Sequence, residues 1–124
     1  MANQQLERKE VLEPCLKLCK KLLGTHILRY RRLDALDRYH VSGSPDIEIW
    51  VPKDNMIFLI MAECKAPHGG VFSPKQIEYR DKYKKYINAI YEEINDVKRL
   101  LNLILNTSDY GCELLQEFND IKDL

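Results

Sequence analysis

Apolar residues recur at two spacings along the chain, and the change of spacing separates helices from strands. Residues 3–23 are predicted to form a first helix, because apolar side chains recur there at helical intervals up to Gly24. Pro14 cannot donate the backbone hydrogen bond expected inside a helix, so it either kinks this helix or lies in the first turn of a second one. Residues 26–32 favour a first strand.

Two apolar stretches in the middle of the chain predict the centre of a sheet. Residues 46–51 alternate, with Ile47, Ile49 and Val51 on one face, which is typical of a half-buried strand. Residues 56–64 (MIFLIMAEC) form an almost unbroken apolar run, as expected of a strand covered on both faces. A turn over residues 52–55 would join the two strands as an antiparallel hairpin.

The second half of the chain adds two helices and one strand. Ser73, Pro74 and Gln76 form a capping-box pattern that predicts a helix over 74–86. Residues 87–94 favour a strand, and residues 96–106 favour a helix. The resulting order is αβββαβα in one α/β domain over residues 1–106, with a mixed central sheet flanked by helices. Residues 107–124 are predicted to be an acidic C-terminal extension with a short helix near 112–122.

Composition narrows the class of protein. A chain of 124 residues suffices for one domain, and its apolar fraction of 45% and charged fraction of 31% are those of a soluble globular protein. No apolar run approaches the ~20 residues that span a bilayer, and no secretory signal is visible, so we expect no membrane partner and a cytoplasmic location, or the host-cell cytoplasm for a phage protein. The cysteines lack a C-x-x-C pairing and are expected to be small core residues.

The formal net charge of zero argues against tight, nonspecific binding of nucleic acid, but it conceals two basic stretches. The residues predicted to contact a DNA backbone are Arg29, Arg31, Lys75, Arg80 and Lys82. The alternative is that these side chains form an ordinary solvated surface. Three tyrosines at helical spacing, at positions 79, 83 and 86, are expected to pack in a core or a dimer interface rather than stack on bases.

Candidate chemistry centres on the end of the most apolar strand. Glu63 and Lys65 are two residues apart, so both side chains project from one face of the strand. Asp46, at the start of the neighbouring strand, comes level with them if a bulge or twist absorbs an offset in the hairpin. Two carboxylates beside an ammonium group would suit Mg²⁺ or Mn²⁺, with the lysine orienting water and stabilising charge on a phosphate. Taken singly, these residues could equally be a surface pair and a turn residue.

The ordered set Gly43-x-Pro45-Asp46, Glu63-x-Lys65 and Ser73-x-x-Gln76 resembles the virus-type replication-repair nuclease (VRR-NUC) domain of the PD-(D/E)XK nuclease superfamily. The resemblance covers roughly residues 7–105 and implies a restriction-endonuclease-like fold. It also implies that the catalytic residues include the lysine and Gln76. The implied metal ligands are Asp46, Glu63, the backbone carbonyl of Cys64 and an acidic residue of the first helix, for which Glu10 is preferred and Glu7 and Glu13 remain alternatives.

The function implied by this resemblance is a divalent-metal-dependent endonuclease that hydrolyses DNA. The resemblance also implies selectivity for branched, flap or four-way-junction DNA, and the lack of any likeness to a reader of base sequence favours recognition of shape. A homodimer with two active sites would suit a junction. The alternative is a catalytically silent module that binds nucleic acid or protein on a nuclease scaffold. The acidic extension could also dock on the basic surface or form a dimer contact.

Overall fold

The first helical stretch contains a proline, and a π-helical segment precedes it. A computed structural model describes residues 5–33, 42–67 and 70–108. The π-helical segment Glu7–Leu12 leads directly into helix α1, Glu13–Leu22. Pro14 lies in the first turn of α1, where its missing N–H would have no helical partner in any case. The N–H of Glu13 donates to the carbonyl of Arg8, across the wider turn of a π-helix.

The described chain forms one four-stranded mixed sheet with three helices around it. The strands are β1 (Arg29–Arg32), β2 (Ile47–Lys53), β3 (Met56–Cys64) and β4 (Ala89–Ile94), and they lie in that order across the sheet. The pairs β1–β2 and β2–β3 are antiparallel, whereas β3–β4 is parallel. Helix α2 (Pro74–Tyr83) connects β3 to β4, and helix α3 (Val97–Thr107) follows β4. The prediction of a single mixed α/β domain is therefore confirmed.

One face of the sheet carries the hydrophobic core. Ile47, Ile49 and Val51 of β2 are fully buried there, as their alternation predicted. Helices α1 and α3 cover this face, and their apolar sides join the same buried cluster. The opposite face carries Asp46 and Glu63, which alternate with the core residues along β2 and β3. Polar chemistry is thus confined to the face away from the main core.

The predicted bounds of two elements differ from the observed ones for local reasons. The first strand was expected from residue 26, but His26 and Ile27 donate their N–H groups to the carbonyl of Leu22 at 3.0 and 3.1 Å. These bonds form a turn after α1, so the ladder begins only where Leu28 donates to Trp50. The helix expected over 74–86 ends at Tyr83, after which the chain tightens into short turns.

Strand β3 is less evenly covered than its sequence suggested. Residues 60–64 are buried on both faces, but Met56 and Ile57 are exposed at the start of the strand. The buried half is the one that contains Glu63 and ends at Cys64. Within the described residues, no helix has the length and apolar character needed to cross a membrane. The predicted C-terminal helix near 112–122 lies outside the described residues.

Candidate metal centre

Asp46 and Glu63 meet because the β2–β3 hairpin has no offset. The pairing runs without interruption from Lys53 opposite Met56 to Ile47 opposite Ala62, which brings Asp46 opposite Glu63 one step further on. Two turn residues, at positions 54 and 55, have φ of 51° and 63°, as in the tight two-residue turns that favour hairpins. The prediction that a bulge or twist must absorb an offset was wrong, because it placed the turn too early in the chain.

A backbone hydrogen bond holds the Asp46 carboxylate at the end of β3. Its Oδ2 accepts the N–H of Cys64 at 2.9 Å, while the N–H of Asp46 donates to the carbonyl of Ala62 at 3.0 Å. The side chain of Cys64 points the other way and is fully buried in the core. Cys64 therefore contributes backbone groups to this edge of the sheet and a thiol to the opposite face.

The third carboxylate at this edge belongs to Glu7. The carboxylate oxygens of Glu7, Asp46 and Glu63 all lie within 4.8 Å of one another. Glu10, the preferred residue of the sequence analysis, is exposed, and so is Glu13. The acidic residue of the first helical stretch that reaches the site is therefore Glu7, one of the alternatives left open.

The helical face explains why Glu7 rather than Glu10 points at the sheet. Glu7 precedes the buried Val11 by four residues and the buried Cys15 by eight, so it continues the apolar stripe. Glu10 precedes the exposed Lys17 by seven residues and shares its face. This signal was present in the sequence, and it would have ranked Glu7 first.

Crowding and burial disfavour negative charge at this cluster. Glu63 is only 5% exposed, and burial raises its pKa, with further contributions from Asp46 and Glu7 that Lys65 opposes. Burial also raises the pKa of Glu7, and the charge of Asp46 adds to the effect. A divalent cation would reverse this balance, and three carboxylate oxygens are the hard ligands that Mg²⁺, Mn²⁺ and Ca²⁺ take. The donor set therefore fits such an ion.

Lys65 extends from the end of β3 towards the same space. Its Nζ lies 3.9 Å from Oε2 of Glu63 and donates to Oε1 of Gln76 at 3.2 Å. The lysine side chain is 16% exposed, so the ammonium group is largely shielded but accessible. The aliphatic part of the chain packs on Gly70, where a Cβ atom would lie only 3.1 Å from its Cδ. The Lys65 ammonium group is thus oriented by the end of β3, by the contact with Gly70 and by the hydrogen bond to Gln76.

Gln76 forms the predicted capping box and also contacts Lys65. Its Oε1 accepts the N–H of Ser73 at 2.8 Å, and its own N–H donates to the Ser73 hydroxyl, which completes the capping box of α2. The same Oε1 accepts the hydrogen bond from Lys65. The cap of α2 is thereby joined directly to the site, so the start of this helix and the position of the lysine depend on each other.

The loop before Asp46 contains a glycine that no other residue could replace without strain. Gly43 has φ +87°, and a Cβ atom there would lie 2.2 Å from the carbonyl oxygen of Lys75 in α2. The Gly43 carbonyl accepts the hydroxyl hydrogen of Tyr91 at 2.8 Å. These contacts connect the loop, the start of α2 and β4 at one point, three residues before Asp46.

Tyr91 is a site residue that the sequence analysis missed. It is 5% exposed, and burial raises its pKa, with the nearby carboxylates of Glu63 and Asp46 adding to the shift. Its position follows from the parallel pairing of β4 with β3, which places Tyr91 opposite Met61. Met61 precedes Glu63 by two residues in β3, so Tyr91 and Glu63 lie on the same face of the sheet. The sequence predicted the strand but carried no signal for this register.

The described cysteines behave as core residues. Cys15, Cys19 and Cys64 are free thiols and fully buried. A hydrogen bond to the Cys15 sulfur, together with burial, raises the pKa of the Cys64 thiol. Burial likewise raises the pKa of Cys19. Their interior role agrees with the prediction, and Cys112 lies outside the described residues.

The two arginines of β1 predicted to contact DNA have partners within the protein. Arg31 donates to Oε1 of Glu48 from Nη2 at 2.6 Å and from Nε at 3.2 Å, and Glu48 is 8% exposed. The guanidinium of Arg29 lies 5.0 Å from the centre of the Trp50 ring. Arg31 thus neutralises a buried carboxylate, which is a structural role, and contact with DNA stays a prediction for both residues.

Lys75 and Lys82 are exposed on α2, whereas Arg80 is half-buried beside the space between α2 and β4. Lys75 lies 3.6 Å from Glu78, and the guanidinium of Arg80 lies 3.4 Å from Asp81. Lys82 lies over the ring of a tyrosine one turn earlier, at 5.6 Å from its centre. Exposed pairs of this kind contribute little to stability. Contact with a DNA backbone stays a prediction for these three side chains.

No family model, curated protein or solved structure matches this chain. The structural class of the protein is therefore inferred from its fold and from the arrangement of its carboxylates and lysine. It is a mixed α/β domain that brings three carboxylates and a lysine together at one edge of its sheet. Each comes from a different stretch of chain except Glu63 and Lys65, of which Glu63 lies in β3 and Lys65 directly follows it.

Proposed function

We propose that this protein is a divalent-metal-dependent endonuclease that hydrolyses phosphodiester bonds of DNA. The observation that carries the proposal is the cluster of Glu7, Asp46 and Glu63, whose carboxylate oxygens lie within 4.8 Å of one another beside the ammonium group of Lys65. Burial and crowding disfavour negative charge on Glu63 and Glu7, and a bound divalent cation would offset that cost.

The proposed ligands are the three carboxylates and the backbone carbonyl of Cys64. The N–H of the same residue, Cys64, holds Asp46, which makes the orientation of that carboxylate dependent on the end of β3. A bound Mg²⁺ or Mn²⁺ would act as a Lewis acid on a phosphate oxygen and lower the pKa of water. Because Glu7, Asp46 and Glu63 belong to separate elements, only the folded chain would bind the ion tightly.

Lys65 is the residue proposed to act on the substrate. Its ammonium group, fixed by Gln76 at 3.2 Å, would orient an attacking water and donate a hydrogen bond to the phosphate as negative charge develops. Gln76 holds the ammonium group in place without competing for its charge, since an amide oxygen is neutral. We expect Gln76 to be a positioning residue, and its removal to slow the reaction less than removal of Lys65.

The substrate class and the fold family rest on the resemblance to VRR-NUC domains. Its motif residues Gly43, Asp46, Glu63, Lys65 and Gln76 lie around one edge of the sheet, and the motif glycine has a steric reason to be glycine. We therefore propose a restriction-endonuclease-like fold and DNA as substrate, with selectivity for branched, flap or junction structures. A homodimer would present two such sites, and a cytoplasmic location is part of the same proposal.

The test is cleavage of labelled single-stranded, duplex, flap and four-way-junction DNA in Mg²⁺, Mn²⁺ or EDTA. Wild type is compared with Lys65→Ala and Asp46→Ala, and with Lys98→Ala as a matched control, because Lys98 is an exposed lysine of α3. We expect cleavage only with metal, a loss of at least about 100-fold in both site variants, and no change in the control.

A second measurement separates folding from chemistry. The thermal unfolding midpoint of wild type should rise with Mg²⁺ or Mn²⁺, because an ion that binds only the folded state stabilises it. Asp46→Ala should lose this rise, whereas Lys65→Ala should keep it. DNA binding without cleavage, unaffected by either substitution, would instead support the alternative of a binding module on a nuclease scaffold.

A further inference from the structure

A second feature lies beside the carboxylate cluster, in the space between helix α2 and strand β4. This cleft has a volume of about 770 Å³, within the range of ligand sites in proteins. Its walls include the rings of Phe72, Tyr83 and Tyr91 and the cationic side chains of Arg80 and Lys84. Aromatic rings beside cations are the combination with which proteins hold single-stranded nucleic acid.

Only the ring of Phe72 separates the cleft from Lys65, the proposed catalytic residue. Phe72 contacts Tyr91 edge to face, with 5.5 Å between ring centres, and the Nζ of Lys65 lies 6.0 Å from the centre of the Phe72 ring. Tyr91 in turn lies opposite Met61 in the parallel β3–β4 pairing, on the face of the sheet that also carries Glu63. A strand whose phosphate reaches Lys65 could therefore place a neighbouring nucleotide in the cleft.

The acidic residues of the cleft decide which part of a nucleotide fits. Glu92 and Glu93 of β4 line it, and they would repel a phosphate group. Glu92 is paired with Arg99 at 3.0 Å, and Glu93 accepts the N–H of Gly70 at 3.2 Å, so both carboxylates already have donors. A neutral base can lie against these groups, and its amino hydrogens can bind to carboxylate oxygens.

The cations lie on the other wall of the cleft, on α2. Arg80 lies with its guanidinium 5.7 Å from the centre of the Phe72 ring, and the Lys84 side chain is 63% exposed. A base among the rings would thus leave its sugar and phosphate on the side of α2, near these charges. The acids of β4 and the cations at α2 thus lie on opposite sides of the cleft.

We propose that this cleft binds the base of one unpaired nucleotide next to the scissile phosphate. The inference rests on the proposed nuclease function and adds a requirement on its substrate. A base inside a duplex has both faces covered by its neighbours, so it must leave the stack before it can lie against protein rings. The preferred DNA therefore carries a single-stranded or unpaired nucleotide at that position, as flaps and junctions do.

The test combines a protein variant with a change in the DNA. Binding of a short, fluorescently labelled single-stranded DNA is measured by anisotropy in Ca²⁺, and again with a series of the same DNA that lacks one base at each position in turn. The variants are Tyr83→Ala and, as a matched control, Tyr86→Ala, since Tyr86 is a 49% exposed tyrosine just beyond the same helix. Both variants are first checked for unchanged thermal unfolding midpoints in the presence of Ca²⁺.

We expect one position at which loss of the base weakens binding by about 5- to 150-fold, the range measured for stacking of a base on an aromatic side chain. Tyr83→Ala should weaken binding of the intact DNA by a similar factor and should have no further effect on the DNA that lacks this base. Tyr86→Ala should bind both DNAs as wild type does.

Two outcomes would overturn the inference: no position at which the base matters, or losses from Tyr83→Ala and from the missing base that simply multiply. Its failure is distinguishable from failure of the proposed function. Metal-dependent cleavage without any effect of a missing base would leave the nuclease and remove the base site. Coupling between Tyr83 and one base, with no cleavage of any DNA, would leave the base site and remove the hydrolysis.

Discussion

Substitution of Gly43 tests whether the loop before Asp46 is held by close contact with α2. Two separate costs are expected for Gly43→Ala. The backbone φ of +87° disfavours any L-residue, at about 1–2 kcal/mol. The added Cβ would also lie 2.2 Å from the carbonyl oxygen of Lys75 and 2.6 Å from its carbon, far inside the ~3.5 Å of a favourable contact. Because the obstacle is backbone, the loop or the helix must move.

Gly24 supplies a matched control for the first cost. It has φ +85°, nearly the value at Gly43, but no atom lies within 4 Å of the Cβ position. Gly24→Ala should therefore lose about 1–2 kcal/mol of the free energy of unfolding, less a small gain from the stiffer unfolded chain. The clash at Gly43 adds about 1–3 kcal/mol, the usual cost of overpacking. The difference between the two variants isolates the close approach to α2.

Urea unfolding followed by circular dichroism gives both free energies under the same conditions. The effect on catalysis is measured separately, as the rate of DNA cleavage by fully folded protein in the absence of urea. Movement of the loop shifts Asp46 and the Tyr91 contact, so Gly43→Ala should cleave more slowly than Gly24→Ala by about tenfold or more. Equal free energies of unfolding for the two variants would refute the close contact, and equal cleavage rates would refute its importance for the site.

Three further predictions concern the charged groups. Glu7→Gln should weaken Mg²⁺ binding by about tenfold or more, because it removes one of three carboxylates. Glu10→Gln should leave Mg²⁺ binding unchanged. Equal Mg²⁺ affinities of the two variants in calorimetry would contradict the role of Glu7. Arg31→Ala should lower the free energy of unfolding in urea by about 1–3 kcal/mol, because it leaves the buried Glu48 carboxylate unpaired. Adding Glu48→Gln should recover part of that loss, and no recovery would mean that packing, not charge, causes it. Burial raises the pKa of Glu63 from 4.5, so the folded state binds the proton of this carboxyl group more tightly than the unfolded state does. Metal-free protein should therefore lose stability as the pH rises above 4.5. Glu63→Gln should therefore be more stable than metal-free wild type at pH 7, by up to about 3 kcal/mol, and a lower unfolding midpoint for this variant in EDTA would contradict the reasoning.

Several parts of the site were predictable because they depend on short stretches of sequence. The capping box of α2 needs only Ser73 and Gln76, and the shared face of Glu63 and Lys65 needs only the alternation of a strand. The helix-borne acid was predictable in principle, since Glu7 continues the apolar stripe of α1. It was ranked second to Glu10 because distance along the chain was weighed above helical face.

Other parts depended on where one residue falls in a turn. Asp46 lies opposite Glu63 because the hairpin has a tight turn at residues 54 and 55. A shift of one residue in that turn would move every side chain of β2 to the other face of the sheet. The sequence marked the turn over four polar residues without deciding its centre. The expected offset was an error of this kind.

Local patterns in the sequence specify which segments become helices and strands, which face of each is apolar, and that Glu63 and Lys65 share one face. That Glu7 reaches the cluster, that Tyr91 connects it to a cleft, and that Gly43 approaches α2 so closely follow from tertiary packing. The difference lies in the distance along the chain over which each kind of contact acts. Periodicity and capping act over a few residues, whereas these contacts join segments tens of residues apart through strand register and helix packing, which no local pattern encodes.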